Sequence, residues 1–198
     1  MKLWSAGAAA LLATAASGLR AQEPAPIPSA TVNYTARAPK LDGRLDDPCW
    51  NAATALPLQW TWDGKPATEP ATARLAFDDR YVYVAVDAPD QTLVAARESR
   101  DGDLYSQDDI IEFLLWPRED QPYYYRVAIN PRGTVLDVFY ISDTTQTKPA
   151  LALTAWNPEI IGQVKAAVGQ VYRPDKPTVT TLNGRWLVEI GLPLTAFT

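Results

Sequence analysis

The sequence predicts an all-β protein built as an antiparallel β-sandwich. Short segments that alternate apolar and polar residues recur along most of the chain, and a period of two is the side-chain spacing of a strand. Pro, Gly, Asn and Asp separate these segments, and no helical pattern alternates with them. Many short strands at close spacing, without intervening helices, are typical of a sandwich.

The strand candidates follow one another along a single domain. Residues 71–78 and 81–87 form a hairpin pair joined by a polar link. Further strands are predicted at 109–116, 123–130, 134–141, 164–172 and 186–192, with weaker candidates at 31–34 and 56–62. Only 51–55 and the region 91–96 have local helical character.

The N-terminus has the features of a secretory signal peptide over residues 1–21. A basic Lys2 precedes an uncharged segment rich in Ala and Leu, which is shorter than the roughly twenty residues of a membrane-spanning helix. A lead-in rich in Pro and Ala follows at 22–30, and the domain is predicted over 31–198. We therefore expect a secreted or periplasmic protein without a membrane partner.

Composition excludes several kinds of chemistry. The chain has no His and one Cys, so Ser-His-Asp and Cys-His catalysis and zinc sites of His and Cys are excluded. A net charge of −5 without a run of Lys or Arg argues against nucleic acid as a partner. Cys49 is predicted to be a small core residue beside Trp50. Carboxylates, calcium and aromatic surfaces remain as the available chemistry.

The segment LDGRLDDPCW at 41–50 has a structural interpretation. Asp42 and Gly43 suit a tight turn, Asp46 or Asp47 can cap a short helix that begins at Pro48, and Trp50 can fill the core. The alternative is that these aspartates bind calcium through their oxygen atoms.

The segment DLYSQDDIIEFLLWP at 103–117 places acids beside and within an apolar strand. Alternation puts Asp109 on one face and Glu112 on the other. A buried Glu needs a partner, and Arg126 on the next strand shares a face with Asn130 and can meet it. The pair is either a structural ion pair or the polar floor of a site for a ligand with many hydroxyls, since charge-assisted hydrogen bonds are strong.

Several aromatic residues lie outside the obvious core and suit the C–H faces of sugar rings. Trp60 and Trp62 point the same way on a weak strand, while Tyr105 and Trp156 lie in loop-like contexts. Core packing is the alternative for each of them.

Five segments together resemble the family 9 carbohydrate-binding modules and their secreted relatives. They are LDGRLDDPCW (41–50), ARLAFDDRYVYVAV (73–86), SQDDIIEFLL (106–115), YYYRVAINPRG (123–133) and GRWLVEIGLP (184–193). The resemblance implies a jelly-roll-like antiparallel sandwich with structural calcium, and recognition of a saccharide end between two Trp side chains.

The resemblance also implies particular site residues. Asp109 and Glu112 match the family's Asp-x-x-Glu, Arg126 or Asn130 would fill polar sugar-binding positions, and Tyr105 would replace the first stacking Trp. Trp156 is a further candidate for stacking, and the calcium ligands stay unassigned. The family has more strands and a second Trp after GRWLVEIGLP, so we expect the domain to be incomplete at Thr198.

Three functions from different classes follow. The first is non-catalytic carbohydrate binding as part of a larger glycan-processing protein active in polysaccharide catabolism. The second is an interaction or accessory domain without a working sugar site. The third is a glycosidase, which needs two carboxyl groups on one site. Opposite faces for Asp109 and Glu112 argue against the third. The identity of the sugar and the oligomeric state stay open.

Overall fold

Strands account for most of the regular structure in the computed structural model, which describes residues 29–58, 70–90, 93–142, 150–166 and 185–197. The strands are β1 (Asn33–Tyr34), β2 (Leu56–Pro57), β3 (Thr72–Phe77), β4 (Tyr81–Pro89), β5 (Ile111–Leu115), β6 (Tyr123–Ile129), β7 (Val135–Ile141), β8 (Leu151–Leu153), β9 (Ile161–Ala166) and β10 (Arg185–Pro193). The described helices are α1 (Pro48–Ala52) and a 3-10 helix (Leu194–Phe197).

These strands form two sheets, which confirms the predicted β-sandwich. The larger sheet has the order β1-β3-β4-β10-β9, with β2 paired to β3, and the smaller has the order β5-β6-β7-β8. Pairing is antiparallel except between β1 and β3. The predicted hairpin of 71–78 with 81–87 is the β3–β4 pair.

The core lies between the two sheets and follows the alternation of each strand. On the smaller sheet, Ile111, Val127 and Ile129 point inward, while Val86 and Val188 point inward from the larger sheet. Because successive side chains point to opposite faces, Glu112 and Arg126 lie on the outer face of the smaller sheet.

The segment 41–50 covers the outer face of the larger sheet and confirms the structural interpretation of this motif. Gly43 has a positive φ of 74°, as a tight turn requires, and Trp50 is buried in a second apolar cluster. Glu189 of β10 holds the segment, since its carboxylate accepts hydrogen bonds from Trp50 Nε1 at 2.7 Å and from the Gly43 backbone at 2.5 Å. Asp47 occupies the N-cap position of α1, but its carboxylate accepts the Lys40 backbone N–H instead of capping the helix.

Local predictions failed at several places. The helix predicted at 51–55 lies at Pro48–Ala52, because Pro48 suits the first helical turn. Residues 93–96 are not helical, since the Val94 carbonyl accepts the Asp109 backbone N–H and the Val94 N–H donates to the Asp109 carboxylate. Strand β8 and the 3-10 helix were not predicted.

Some predictions fall outside the described residues. These are the signal peptide at 1–21, nearly all of the lead-in at 22–30, the side chains of Trp60 and Trp62, and the end of the strand predicted at 164–172. Within the described part, no helix is long and apolar enough to cross a membrane.

Candidate functional site

Three strands of the smaller sheet present polar and aromatic side chains on its outer face. From β5 come Glu112 and Leu114, with Trp116 immediately after the strand; β6 contributes Arg126, and β7 contributes Tyr140. The register explains why they meet, because Leu114 lies opposite Arg126 while Glu112 lies opposite Ala128. Glu112 and Arg126 are therefore diagonal neighbours, a spacing that long side chains bridge.

The centre of this face is the predicted ion pair. Arg126 Nε lies 2.7 Å from Glu112 Oε1, and the Glu112 side chain is only 6% exposed. An isolated carboxylate this deeply buried would be costly, so Arg126 offsets a large part of the desolvation cost.

Tyr105 covers the pair from the loop that precedes β5. Its hydroxyl donates a hydrogen bond to Glu112 Oε1 at 2.5 Å, and its ring centroid lies 5.3 Å from the Arg126 guanidinium carbon. Burial, followed by this hydrogen bond and the charge of Glu112, raises the pKa of the Tyr105 hydroxyl well above its usual range. The phenol therefore stays a protonated donor to the carboxylate.

Tyr140 completes the cluster and was not predicted from the sequence. Arg126 Nη1 donates to the Tyr140 hydroxyl at 3.1 Å, and the guanidinium carbon lies 5.0 Å from the Tyr140 ring centroid. Tyr124 stacks on Tyr140 with centroids 4.8 Å apart and planes 6° from parallel. Alternation along 134–141, taken together with the pairing of β6 and β7, is the signal that would have found Tyr140.

One oxygen of the central carboxylate is left over. Glu112 Oε2 is buried and has no hydrogen-bond partner among the described residues. Buried polar atoms in folded proteins are nearly always satisfied, so this oxygen calls for a donor from outside the described residues, either a water molecule or a ligand group. The result is a polar cluster with aromatic walls, in which one carboxylate oxygen has no partner within the described part of the chain. Its members are Glu112, Arg126, Tyr105 and Tyr140.

Comparison with known proteins finds a family match over part of the chain. Residues 41–128 match the family described as carbohydrate family 9 binding domain-like, and this match includes Tyr105, Glu112 and Arg126. The resemblance to family 9 carbohydrate-binding modules is confirmed.

A sequence relative and two solved structures are consistent with this resemblance. Exoglucanase XynX of Acetivibrio thermocellus is 32% identical over 87 residues, which are 43% of this chain and 7% of that protein. A family 9 module from Caldicellulosiruptor kristjanssonii, solved with cellotriose, is 18% identical over 83% of this chain and 66% of its own, with a TM-score of 0.50. A Bacteroides uniformis protein is 17% identical over 84% of this chain and 72% of its own, with a TM-score of 0.55. At these identities the structures show the fold alone.

Two of the polar residues predicted for the family 9 site are not at the cluster. The Asn130 side chain is buried and fully used, donating to Asp108 and the Arg97 carbonyl and accepting from the backbones of Arg132 and Thr134. Asn130 therefore stabilises the turn after β6 rather than contributing to the cluster.

Asp109 lies on the opposite side of its segment from Glu112, as alternation predicted. Its carboxylate accepts the Val94 backbone N–H at 2.6 Å. Burial raises the Asp109 pKa to about 6, against the lowering effect of that hydrogen bond. The two acids of the family's Asp-x-x-Glu thus have separate surroundings, and Asp109 anchors the loop that carries Tyr105.

Trp156 also lies away from the cluster. It packs on Tyr125 and Phe197, with centroids 4.6 Å and 6.1 Å away, and its Nε1 donates to the Ala196 carbonyl. Tyr125 is on the inner face of β6, so Trp156 belongs to the core side of the sheet. The alternative of core packing is the one the structure shows.

The described residues do not fit a calcium site built from clustered carboxylates. Nowhere among them do three or more Asp or Glu side chains gather as a metal would require. Of the aspartates named as possible ligands, Asp42 pairs with Arg44 and Asp47 accepts the Lys40 backbone N–H.

A separate cavity of about 420 Å³ lies on the outer face of the larger sheet. It is lined by Arg44, Trp50, Arg74, Asp87 and Arg185 among others. Asp87 and Arg185 already pair there at 2.8 Å. The cluster around Glu112 differs from this cavity in having two Tyr rings packed against its guanidinium, at 5.3 Å and 5.0 Å.

Proposed function

We propose that this domain binds a carbohydrate, without catalysis, on the outer face of the smaller sheet at Glu112, Arg126, Tyr105 and Tyr140. The observation that carries the proposal is Glu112 itself. One of its oxygens is held by Arg126 and Tyr105, and the other is buried without a partner among the described residues.

The chemistry of the cluster suits a sugar. A carboxylate oxygen accepts a charge-assisted hydrogen bond from a hydroxyl group. A guanidinium beside the carboxylate donates a hydrogen bond to a neighbouring hydroxyl oxygen. The rings of Tyr105 and Tyr140 lie beside the guanidinium and supply the apolar part of the cluster. A ligand with adjacent hydroxyls on an apolar ring satisfies all of these groups together.

The relatives support a glucan-type ligand as the first probe. A family 9 module with this fold has been solved with cellotriose and with glucose, and the curated sequence relative is an exoglucanase. This chain spans only 7% of that exoglucanase. Secretion, and a place within a larger glycan-processing protein, are therefore part of the proposal, supported by the N-terminal sequence and by the relative.

Binding rather than cleavage fits the arrangement of acids. A glycosidase needs a second carboxyl group within about 5–10 Å of the first, on the same site. Asp109, the nearest acid of the motif, binds the Val94 backbone on the other side of its segment. Glu112 consequently acts as a hydrogen-bond acceptor in this proposal and not as one of two catalytic acids.

Isothermal titration of the chain with glucose and cellotriose tests the proposal. We expect Glu112→Gln to lower affinity at least about tenfold, because a hydrogen bond to a charged group contributes about 1.5–3 kcal/mol. Asp120→Asn is the matched control, since Asp120 forms an exposed pair with Arg118. Equal affinities for wild type and Glu112→Gln, or no binding to any glycan of a panel, would favour an accessory domain whose Glu112–Arg126 pair is structural.

A further inference from the structure

We propose that Leu114, Trp116 and Tyr124 form a second subsite that takes the next ring of the saccharide held at Glu112. This inference rests on the proposed function and deepens it, because it makes the ligand an oligosaccharide rather than a single sugar. We call these three residues the apolar ledge.

The ledge exposes large apolar side chains to solvent, which does not stabilise the folded protein. Leu114 is 56% exposed and Trp116 is 55% exposed, although both belong to the strand segment that contributes Ile111 to the core. Single exposed apolar residues are ordinary, but adjacent large ones beside a polar cluster indicate a contact surface.

The ledge is continuous with the Glu112 cluster. Glu112, Leu114 and Trp116 are alternate residues of one extended segment, so they cover about 13 Å on the same face. Leu114 lies directly opposite Arg126 in the sheet register. A saccharide whose first ring binds Glu112 can therefore place its next ring over Leu114 and Trp116 without leaving the sheet.

The indole of Trp116 is held in place before any ligand binds. Its Nε1 donates to the Gln121 carbonyl at 2.9 Å, and its ring lies 6.1 Å from Tyr124. Tyr124 in turn stacks on Tyr140, which accepts from Arg126. A fixed ring loses little conformational entropy on binding, and since its N–H is already used, it offers apolar surface rather than a hydrogen bond.

A sugar ring is a better occupant of the ledge than a second protein. Stable protein interfaces bury about 800 Å² on each partner. The ledge is a narrow strip of three side chains that adjoins the charged pair of Glu112 and Arg126. Apolar rings beside charge-assisted donors and acceptors suit a ligand that has both C–H faces and hydroxyl groups.

Titration with glucose, cellobiose and cellotriose separates the two subsites. In wild type we expect affinity to rise from glucose to cellotriose. Trp116→Ala should lower cellotriose affinity by about two- to tenfold, which corresponds to about 0.5–1.4 kcal/mol for an aromatic contact, and leave glucose affinity unchanged. Leu114→Gln should act in the same direction and serves if Trp116→Ala folds poorly. Tyr34→Ala is the control, because Tyr34 is similarly exposed but lies on the larger sheet.

The possible results distinguish this inference from the proposed function. If glucose and cellotriose bind equally well, or Trp116→Ala binds both like wild type, the ledge is not a subsite although carbohydrate binding stands. Loss of glucose binding in Trp116→Ala would assign Trp116 a structural role and also overturn the inference. If sedimentation shows that Trp116→Ala converts a dimer into a monomer, the ledge is a self-association surface. Failure of wild type to bind these three sugars and every glycan of the panel refutes both proposals.

Discussion

Glu112 is buried at the cost of its hydration, and its neighbours explain how the fold tolerates it. Arg126 supplies the opposite charge and Tyr105 supplies a hydroxyl donor, both to the same oxygen. The second oxygen has no hydrogen-bond partner among the described residues. An unsatisfied buried acceptor destabilises the fold by about 1–3 kcal/mol, so a donor that reached this oxygen would stabilise the pair.

The partly buried carboxyl group of Asp109 should make the stability of the domain depend on pH. Its pKa is raised to about 6, chiefly by burial, so the folded state holds a proton that the unfolded state releases near pH 4. Stability from this group is therefore lost as pH rises from about 4 to 6. Asp109→Asn keeps an oxygen for the Val94 N–H and removes the titration. We expect the variant to match wild type near pH 4 and to be more stable at pH 7 by on the order of 1 kcal/mol, after allowance for partial solvent screening.

Urea unfolding at several pH values measures this difference. Asp120→Asn is the control of opposite sign, because the hydrogen bond from Arg118 lowers the pKa of Asp120 and its contribution to stability grows with pH. If the unfolding free energy of Asp109→Asn changed with pH in the same way as that of wild type, the pKa of Asp109 would not be raised in the folded protein.

At the scale of elements, alternation along β5 and β6 was enough to predict which side chains face outward. Glu112 and Arg126 were placed on one face from the sequence, and the register then makes them diagonal partners. Tyr140 and Tyr124 escaped prediction because the register of β6 against β7 depends on the geometry of the turn that joins them. Sequence spacing does not say which residue of one strand lies beside which residue of another.

Loop residues were predicted less well than strand residues, for a related reason. Asn130 and Asp109 have polar side chains of the type that a sugar site needs. Their side chains instead form hydrogen bonds with backbone N–H and C=O groups of the loops. Buried loop backbone must be hydrogen-bonded, and short polar side chains near it are the available partners. Trp156 was drawn into the core by Tyr125 and Phe197.

The β9–β10 pair depends on a glycine at one position. Gly162 has φ of 125°, and a Cβ there would lie 2.1 Å from the Glu189 carbonyl oxygen. We expect Gly162→Ala to destabilise the domain by at least about 2 kcal/mol, because left-handed strain is added to a backbone collision. Gly133→Ala is the control, since Gly133 also has a positive φ, at 80°, but lies in a turn. For this variant we expect a smaller loss of stability, about 1 kcal/mol. Thermal unfolding shows which of the two variants loses more stability. Equal losses of stability would contradict a collision at Gly162.

At the scale of the whole molecule, two buried carboxylates fasten distant segments to the sheets. Glu189 binds the 41–50 segment to β10 through the Gly43 and Arg44 backbones and the Trp50 indole. Asp137 of β7, fully buried, pairs with Arg100 at 2.7 Å. Arg100 also donates to Asn157 and to the Pro158 carbonyl. One guanidinium thus joins the loop before β5, the smaller sheet and the segment after β8.

Removing that guanidinium should weaken the domain more at neutral than at acidic pH. Loss of one partner of a fully buried pair costs about 3–5 kcal/mol, and we expect about 2–3 kcal/mol for Arg100→Gln because Arg100 is partly exposed. Burial raises the pKa of Asp137 and Arg100 opposes that rise, so the variant's pKa is higher still. A raised folded-state pKa favours the protonated acid, and the deficit therefore grows as pH rises from 4 to 7.

Urea unfolding of Arg100→Gln at pH 4 and pH 7 checks both the size and the sign of this effect. Arg118→Gln should change stability by less than about 1 kcal/mol, because its partner Asp120 is exposed. Adding Asp137→Asn to Arg100→Gln removes the unpaired charge, and it should recover part of the loss at pH 7 while leaving pH 4 nearly unchanged. A deficit independent of pH, or no recovery in the double variant, would mean that Arg100 acts through its bonds to Asn157 and Pro158 and that the Asp137 charge contributes little to joining the three segments.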